Sequence, residues 1–350
     1  DSKAMATHEL NILPFLPCNI CFITGFACLF GLLCLYISSL RRFASFSLRG
    51  KHVAITGGTS GIGKALAQQA LEKGASVTLI ARTVATLESS QKELESYAFQ
   101  GEKVWICSVD IGSNAELVDI EFKRIVDQSN RPIDVLINCA GTSVPGVFEE
   151  LDPNTFNKMM SVNYLGSVYP TRAVVPSMKE RRTGRIVFVS SQAGQVGIYG
   201  FSAYSASKFA VVGLAQVLRM ELKPYGITVG VAYPPDTDTP GFEEENKCKP
   251  EATRLLSETS GLFTPQQVAK DIIRGLHGGD FTIYSGLDGW MLSNVTAGMS
   301  PPNSWFHGFI QVLITSLLRL IGLFYSNHFD NIVNGCIKKK DKQKKHGSLI

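Results

Sequence analysis

The sequence has few charged residues, and no linker rich in proline, glycine or serine divides its central part. Only 18% of its 350 residues are charged and 45% are hydrophobic, with a formal net charge of +4. A chain this apolar and this close to neutral is not disordered over most of its length. The missing linker indicates one large domain with appended terminal segments.

A paired cysteine framework and a set of metal ligands are also missing. Of the eight cysteines, four lie before residue 40 and the others are widely spaced. Cys18 and Cys21 have the spacing of a redox or metal pair, but no second pair accompanies them. The pattern therefore predicts a reducing compartment for the main domain and no metal site.

Charge is absent from Ile12 to Leu40, near the N-terminus. This run reaches the roughly 20 apolar residues that a helix needs to cross a bilayer. Basic residues follow it closely, and basic flanks stay in the cytosol. The sequence predicts an N-terminal segment at 1–48, with a transmembrane anchor at about 16–40 and a cytosolic domain after it. A cleaved signal peptide is the alternative.

A second apolar stretch, from Trp305 to Tyr325, lies in a predicted C-terminal segment at 286–337. Polar residues recur in it every four positions and would form one stripe on a helix: His307, Gln311, Thr315 and Arg319. The stripe favours a membrane-associated helix, interfacial or packed against the domain, over a free span. An ordinary amphipathic core helix is the alternative.

A basic tail at 338–350 ends the chain, with six lysines and one aspartate within residues 338–345. A solvated tail is the first interpretation of this run, and contact with anionic lipid is the second. No basic aromatic groove or recognition-helix pattern accompanies it, so the sequence predicts no nucleic-acid partner. Homo-oligomerisation stays open.

Strand-like and helix-like stretches alternate through the central part of the chain. Short, continuously apolar runs such as Val53–Thr56, Val77–Ala81 and Val135–Asn138 are separated by longer helical patterns. Runs of this kind are buried on both faces, which is typical of a parallel sheet covered by helices. The predicted fold class is therefore α/β.

A glycine-rich turn, TGGTSGIG at 56–63, joins the first predicted strand to the first predicted helix. Gly57 allows the tight turn, Gly61 lets the backbone approach a pyrophosphate, and Gly63 permits close helix–strand packing. The helix N-terminus then presents free N–H groups to phosphates. The residues predicted to contact a dinucleotide here are Gly57, Thr59, Ser60, Gly61, Ile62 and Gly63.

The choice of cofactor depends on the end of the second predicted strand, Ala81-Arg82. An enzyme selecting NAD usually has an acidic residue there for the ribose 2′-hydroxyl, whereas Arg82 can form a forked contact with a 2′-phosphate. This predicts NADPH, with a solvated arginine as the alternative. Asp110, after the third strand, is placed to hydrogen-bond the adenine or to cap the next turn.

Tyr204 and Lys208 begin a predicted helix four residues apart, so their side chains share one face. A nearby ammonium stabilises a phenolate and lowers the tyrosine pKa, which suits proton transfer. Ser191, after the preceding strand, is placed to hold a substrate carbonyl oxygen, with Ser190 as the fallback. Asn163 interrupts a helical pattern, and a kink there could hold a water next to Lys208.

In this order, the residues resemble the short-chain dehydrogenase/reductase family, over roughly Gly50 to Tyr284. The motifs that carry the resemblance are the glycine turn 56–63, Asn138–Gly141, Asn163, Ser191, Tyr204 and Lys208. The resemblance implies a Rossmann-type, doubly wound sheet of seven parallel strands in the order 3-2-1-4-5-6-7, within a domain at 49–285. It also implies a Ser-Tyr-Lys-Asn catalytic set, in which Tyr204 gives a proton while NADPH delivers hydride. In that set Tyr204 and Lys208 also bind the cofactor, Lys208 at the nicotinamide ribose, and Lys208 lowers the tyrosine pKa.

Further cofactor contacts are implied at the carboxyl ends of two strands. Asn138, Ala140 and Gly141 end the fourth strand, where small residues let the backbone approach a cofactor. Pro234 and Thr239 follow the sixth strand, where the family usually has Pro-Gly-x-x-x-Thr. Pro235 stands at that Gly, so the loop is stiffer than in the family pattern.

Three segments resemble the animal members of the family that reduce a long-chain sphingoid ketone: Arg185–Gln195, Pro234–Phe242 and Arg254–Thr259. This implies an enzyme of the endoplasmic reticulum membrane, facing the cytosol, that reduces 3-ketosphinganine to sphinganine with NADPH. The expected partners are a long-chain keto-lipid and the membrane, and residues 242–263 are expected to cover the pocket. The rival hypotheses are a membrane-anchored reductase of steroids or retinoids and a non-enzymatic NADPH-binding scaffold.

Overall fold

The computed structural model describes residues 46–99, 101–259 and 261–347, together with Gly31, Leu33, Cys34 and Ile37. The predicted anchor at 16–40 lies outside the described residues apart from those four. Within the described part, one helix is long and apolar enough to cross a membrane, and it lies near the C-terminus.

Seven parallel strands form one sheet in the order β3-β2-β1-β4-β5-β6-β7. Their bounds are β1 His52–Thr56, β2 Ser76–Ala81, β3 Val104–Ser108, β4 Val135–Asn138, β5 Gly184–Val189, β6 Ile227–Tyr233 and β7 Thr282–Tyr284. The central strands are buried along their whole length, as in parallel sheets covered on both faces. The predicted α/β fold and its strand order are confirmed.

Helices follow most of the strands and cover both faces of the sheet. Their bounds are α1 Gly61–Glu72, α2 Val84–Leu94, α3 Ala115–Ser129, α4 Pro153–Met159, α5 Gly166–Arg181, α6 Ser202–Leu222, α7 Pro240–Cys248, α8 Glu251–Ser257, α9 Pro265–Gly278, α10 Gly286–Val295 and α11 Trp305–Gly347. A π-helical segment, Met160–Leu165, joins α4 to α5.

Two apolar cores hold the layers together, one on each face of the sheet. On one face, Val53 of β1 packs with Leu66 of α1 and Ile272 of α9. Its neighbour Ala54 points to the other face and belongs to a core that includes Phe122 of α3. Full burial of a side chain such as Leu66 contributes about 1.5–3 kcal/mol, so these cores supply most of the stabilisation.

The order of the sheet reverses between β1 and β4, which lie side by side. In an open α/β sheet, the connections on either side of such a point leave a crevice at the carboxyl ends of the strands, where ligands bind. Thr56 ends β1 and Asn138 ends β4, so the glycine turn and the Asn138–Gly141 segment both lie at this edge.

The predicted kink at Asn163 is a π-helical segment. One extra residue per turn is rare in helices and occurs mostly at functional sites. Asn163 lies within it and is 1% exposed. The segment therefore turns a polar side chain inward from a helix that is otherwise regular.

Helix α11 is longer than the apolar stretch at 305–325 and continues into the basic tail. Lysine is a good helix former, and Lys339 and Lys340 pair with Glu251 and Glu150 at 3.0 and 3.4 Å. One residue of the polar stripe contacts the domain, since His307 Nε2 lies 3.1 Å from Asn294 Oδ1 on α10.

Large apolar side chains on α11 nevertheless remain exposed. Leu318 is buried against the domain, but the following residues are more than half exposed: Val312, Leu313, Leu317, Leu320, Leu323 and Phe324. An ordinary core helix would bury these side chains. The helix therefore packs on the domain along one side and presents an apolar surface on the other.

Candidate active site

A cavity of about 1540 Å³ opens at the carboxyl edge of the sheet. It is lined by the glycine turn, by the ends of several strands, by the start of α6, and by α10 and α11. The predicted site residues that line it are Gly57, Thr59, Ser60, Gly61, Ile62, Gly63, Arg82, Asp110, Ala140, Gly141, Ser190, Ser191, Tyr204, Lys208, Pro234 and Thr239. Among the described residues, no group of three or more His, Cys, Asp or Glu could hold a metal ion.

The glycine turn forms a cradle that side chains would fill. Gly57 has a φ of +68°, and a Cβ on it would lie 2.8 Å from Ala140 Cα. A Cβ on Gly63 would lie 2.8 Å from the carbonyl carbon of Gly57 and closer still to its oxygen. Helix α1 begins within the turn at Gly61, so its free N–H groups face the cavity. The turn fits a dinucleotide pyrophosphate.

The loop after β6 closes over the glycine turn. Thr239 caps α7 by accepting a hydrogen bond from Phe242 N at 3.1 Å. Its methyl group packs so closely on Gly61 that a Cβ there would lie 2.8 Å away. The Pro234 carbonyl accepts a hydrogen bond from Gln192 N at 3.1 Å, which ties the loop to the end of β5.

The end of β4 is fixed by Thr56, which the sequence analysis did not single out. Its Oγ1 accepts hydrogen bonds from the backbone N–H groups of Cys139 and Ala140, both at 3.0 Å. Asn138 points away from the cavity, because its Nδ2 donates to Thr171 Oγ1 at 2.9 Å. The structure therefore does not bring the Asn138 side chain to the cavity, and Thr56 holds the backbone there instead.

Arg82 and Asp110 lie on the cavity wall at the ends of β2 and β3. Arg82 is exposed, and no carboxylate of the described chain pairs with its guanidinium. Asp110 Oδ1 accepts a hydrogen bond from Gly112 N at 3.1 Å, so this carboxylate also forms the local turn considered as its alternative role. Both side chains border the part of the cavity next to the glycine turn.

Tyr204 and Lys208 lie on successive turns of α6 and both line the cavity. The Lys208 ammonium is 5.7 Å from the centre of the Tyr204 ring and donates to the Val189 carbonyl at 2.9 Å. Burial lowers the pKa of Lys208 to about 8. The two residues are brought together as predicted.

The pKa of Tyr204 moves in the direction opposite to the prediction. Burial raises it, the hydrogen bond with Ser191 opposes the rise, and the negative charges of Glu245 and Asp236 add to it. The Lys208 ammonium donates its hydrogen bond to the Val189 carbonyl. Tyr204 therefore keeps its proton at neutral pH and is a proton donor rather than a base.

The two serines after β5 have different surroundings. Ser190 is buried, and its hydroxyl donates to the Lys208 carbonyl at 3.1 Å. Ser191 lines the cavity beside Tyr204, opposes the rise in the Tyr204 pKa, and accepts a hydrogen bond from Ala193 N at 3.1 Å. Ser190 thus ties the strand end to α6, while Ser191 shares the cavity with the phenol.

Asn163 lies behind the cavity wall and connects three elements. Its Nδ2 donates to the Thr142 carbonyl at 3.0 Å and to Ser207 Oγ at 2.9 Å, and its Oδ1 accepts from Thr142 N at 2.9 Å. A Cβ on Gly141 would lie 3.2 Å from Lys208 Nζ and 3.3 Å from Asn163 Oδ1. Asn163 and Lys208 therefore flank the same backbone segment.

The rest of the cavity is lined by the predicted covering segment 242–263 and by two C-terminal helices that the sequence did not indicate as cavity walls. Helices α7 and α8, in the expected covering segment 242–263, supply Phe242, Glu245, Leu256 and Ser257. Helices α10 and α11 supply a further wall that includes Leu292, Val295, Leu318 and Tyr325. The spacing of apolar residues predicts that these helices have an apolar face. It does not show whether that face packs on the core or lines a cavity.

Residues 51–250 match the profile of the short chain dehydrogenase family. The chain belongs to this family. It is 50% identical over 323 residues to a 3-dehydrosphinganine reductase of Danio rerio, covering 92% of this chain and 97% of the relative. It is 51% identical over 314 residues to a 3-ketodihydrosphingosine reductase of Mus musculus, covering 89% and 94%.

Solved structures share the fold over most of the described domain. A short-chain dehydrogenase from Streptomyces avermitilis has a TM-score of 0.61 and 26% identity, covering 77% of this chain and 97% of that one. A 3-oxoacyl-[acyl-carrier protein] reductase from Brucella melitensis, solved with bound NAD, has a TM-score of 0.58 and 27% identity, covering 68% and 90%. The fold and the glycine cradle therefore fit a nicotinamide dinucleotide.

Proposed function

We propose that this chain reduces 3-dehydrosphinganine to sphinganine in sphingolipid biosynthesis, using NADPH. The observation that carries the proposal is a sequence identity of about 50% to reductases of this name, over nearly the whole chain. That match extends beyond the dinucleotide-binding part to the region of α10 and α11, which form a wall of the cavity. A long cavity with an apolar wall suits a long-chain ketone.

The proton for the reduction comes from Tyr204. Bound NADPH supplies a hydride for the carbonyl carbon. Tyr204 is protonated at neutral pH, so its hydroxyl donates a proton to the carbonyl oxygen and the alcohol forms. Ser191, which lines the cavity beside Tyr204, holds the same oxygen in place.

Lys208 and Asn163 support this transfer. The Lys208 ammonium, 5.7 Å from the ring, stabilises the phenolate that remains after the proton has left. Asn163 is a positioning residue, because it fixes the Thr142 backbone and contacts α6 through Ser207. The cofactor contacts come from the glycine turn, Ala140, Gly141 and the loop after β6.

The test of the proposed function is NADPH oxidation with 3-dehydrosphinganine, beside a steroid ketone and retinal, each repeated with NADH. We expect a clear preference for the sphingoid ketone and for NADPH. A higher kcat/KM on either comparison substrate would contradict the proposed substrate. NADPH binding without turnover of any of them would favour a non-enzymatic scaffold.

The preference for NADPH is assigned to Arg82. Replacement by Ala is expected to raise the KM for NADPH by roughly tenfold to hundredfold, because a charged contact with the 2′-phosphate is lost. The KM for NADH should change little. The matched control is Arg124→Ala on α3, which removes an exposed arginine paired with Glu121. Equal losses with both cofactors would contradict the assignment.

We also propose that the protein is held at the endoplasmic reticulum membrane with its catalytic domain in the cytosol. The exposed apolar side of α11 and the lysines that follow it support this arrangement, since they suit an anionic bilayer surface. The uncharged run at the N-terminus supports a second attachment.

The contribution of α11 can be tested in a chain lacking residues 1–45. Leu313→Glu with Leu317→Glu and Leu320→Glu is expected to abolish sedimentation with anionic vesicles, because three exposed apolar side chains are replaced by charge. Ile120→Glu on α3, also an exposed apolar position, is the control and should leave sedimentation unchanged. Unchanged sedimentation of the triple variant would rule out the proposed contact.

A further inference from the structure

A partly buried polar network lies in the cavity wall formed by the loop after β6 and by α7 and α8. The Ser257 hydroxyl donates a hydrogen bond to the Asp236 carboxylate. The Lys249 ammonium lies 2.8 Å from the Glu245 carboxylate and 3.2 Å from Ser257 Oγ. Asp236, Glu245 and Ser257 line the cavity, whereas Lys249 lies behind them. None of these residues donates or accepts a proton in the proposed reduction.

With both carboxylates ionised, the network carries one more negative charge than positive. Lys249 is the single cation, and its side chain is 1% exposed, covered by the rings of Phe242 and Phe201 at 4.5 and 5.8 Å. Glu245, 12% exposed, is its ion-pair partner. Burial raises the pKa of Asp236 despite the opposing effects of Ser257 and Lys249. In its ionised form the partly buried Asp236 carboxylate is therefore without a full countercharge, which is costly unless a ligand supplies one.

This negative charge acts on the reacting centre. Asp236 and Glu245 both raise the pKa of the Tyr204 phenol, so their carboxylates lie within electrostatic range of the proton donor. The Phe201 ring, which covers Lys249, is also 5.5 Å from the Tyr204 ring. A ligand group close to the reacting carbonyl is thus also close to the network.

The substrate of the proposed function has a cation at that place. 3-Dehydrosphinganine is an amino ketone, and the carbon that bears its ammonium is bonded directly to the carbonyl carbon. When the carbonyl oxygen lies at Tyr204 and Ser191, the ammonium lies in the same part of the cavity. Its apolar tail would occupy the part lined by Leu256, Leu292 and Leu318.

We propose that Asp236 and Glu245 bind the ammonium group of the substrate and thereby select an amino ketone over a plain long-chain ketone. The inference rests on the proposed function and names the residues that determine its specificity. Lys249 limits the excess charge to one, which matches a single ammonium. Ser257 holds the Asp236 carboxylate in place.

The test compares two substrates, 3-dehydrosphinganine and the same ketone with hydrogen in place of the amino group. The full chain should have the higher kcat/KM on the amino ketone. Asp236→Asn keeps an acceptor for Ser257 but removes the charge. We expect it to lower the ratio of the two kcat/KM values by roughly tenfold to hundredfold, the loss that follows from removing a charged hydrogen bond.

Two further variants separate charge from structure. Ser257→Ala removes the same hydrogen bond but leaves the carboxylate charge, and it should keep the preference for the amino ketone. Glu243→Gln removes an exposed charge on α7 that does not line the cavity. It should leave the kcat/KM for both substrates unchanged. Glu245→Gln gives a second measurement of the ratio if Asp236→Asn does not fold.

The outcomes are distinguishable from failure of the proposed function. If the full chain reduces both ketones equally well, or if Asp236→Asn lowers both kcat/KM values by the same factor, the inference is overturned while the reductase activity stands. If the full chain reduces neither ketone, the proposed function itself is wrong. If Ser257→Ala lowered the ratio as much as Asp236→Asn, the network would act only by holding α7 and α8 in place. The proposed binding of the ammonium would then be wrong.

Discussion

Replacing Tyr204 by Phe is expected to lower kcat by about 10²–10⁴-fold, the usual contribution of a positioned general acid. The ring fills the same space, so the cavity wall and the adjacent Phe201 contact remain. Only the proton donor is lost. NADPH affinity, measured by fluorescence titration, should stay within about twofold, because the phenol is not assigned to the phosphate-binding part.

The control for this variant is Tyr164→Phe, which removes a hydroxyl from a partly buried tyrosine outside the cavity. It should retain turnover. Turnover retained by Tyr204→Phe would contradict the assignment of the proton donor. Loss of both turnover and NADPH binding would instead show that the variant disturbs the cavity.

Replacing Gly63 by Ala is expected to abolish NADPH binding at micromolar concentration and to lower the free energy of unfolding. The added Cβ would meet the backbone of Gly57, at 2.8 Å from its carbonyl carbon, and backbone cannot rotate away as a side chain can. Overpacking of this kind typically costs about 1–3 kcal/mol. The change would also displace the turn from the first N–H groups of α1, which carry the phosphate site.

The matched control is Gly213→Ala on α6. Apart from the adjacent backbone of its own helix, no heavy atom lies within 4 Å of a Cβ built there, so the methyl group meets open space. Alanine in a helix interior is more favourable than glycine, and we expect a gain of about 0.5–1 kcal/mol. Thermal unfolding and NADPH titration of both variants check the pair. Normal NADPH affinity in Gly63→Ala would show that the turn is more adaptable than its contacts indicate.

The sheet and the glycine turn could be predicted because both depend on short-range patterns. Continuous apolar strands separated by helices specify a parallel sheet, and the turn at 56–63 has its glycines where the backbone of Gly57 and Ala140 comes close. The i, i+4 spacing of Tyr204 and Lys208 needs only a helix to bring them together. The interruption at Asn163 likewise follows from the sequence, and the structure forms it as a π-helical segment.

The remaining features depend on contacts between distant parts of the chain. The pKa of Tyr204 is raised by burial and by Asp236 and Glu245, which lie more than 30 positions away in sequence. The direction of Asn138 is set by Thr171 on α5. Spacing along the chain cannot show either effect, because in both cases the neighbouring side chains come from distant parts of the sequence. The polar network of Asp236, Glu245, Lys249 and Ser257 could not be predicted for the same reason.

Helix α11 forms part of the cavity wall and presents exposed leucines on its other side, so the proposed contacts with lipid and with substrate share one element. A ketone that reaches the cavity past this helix comes from a two-dimensional pool, and the alcohol returns to the same leaflet. The reaction rate would then follow the mole fraction of ketone in the bilayer, as in surface-dilution kinetics. Inert phospholipid would slow the enzyme even though the bulk concentration of substrate stays constant.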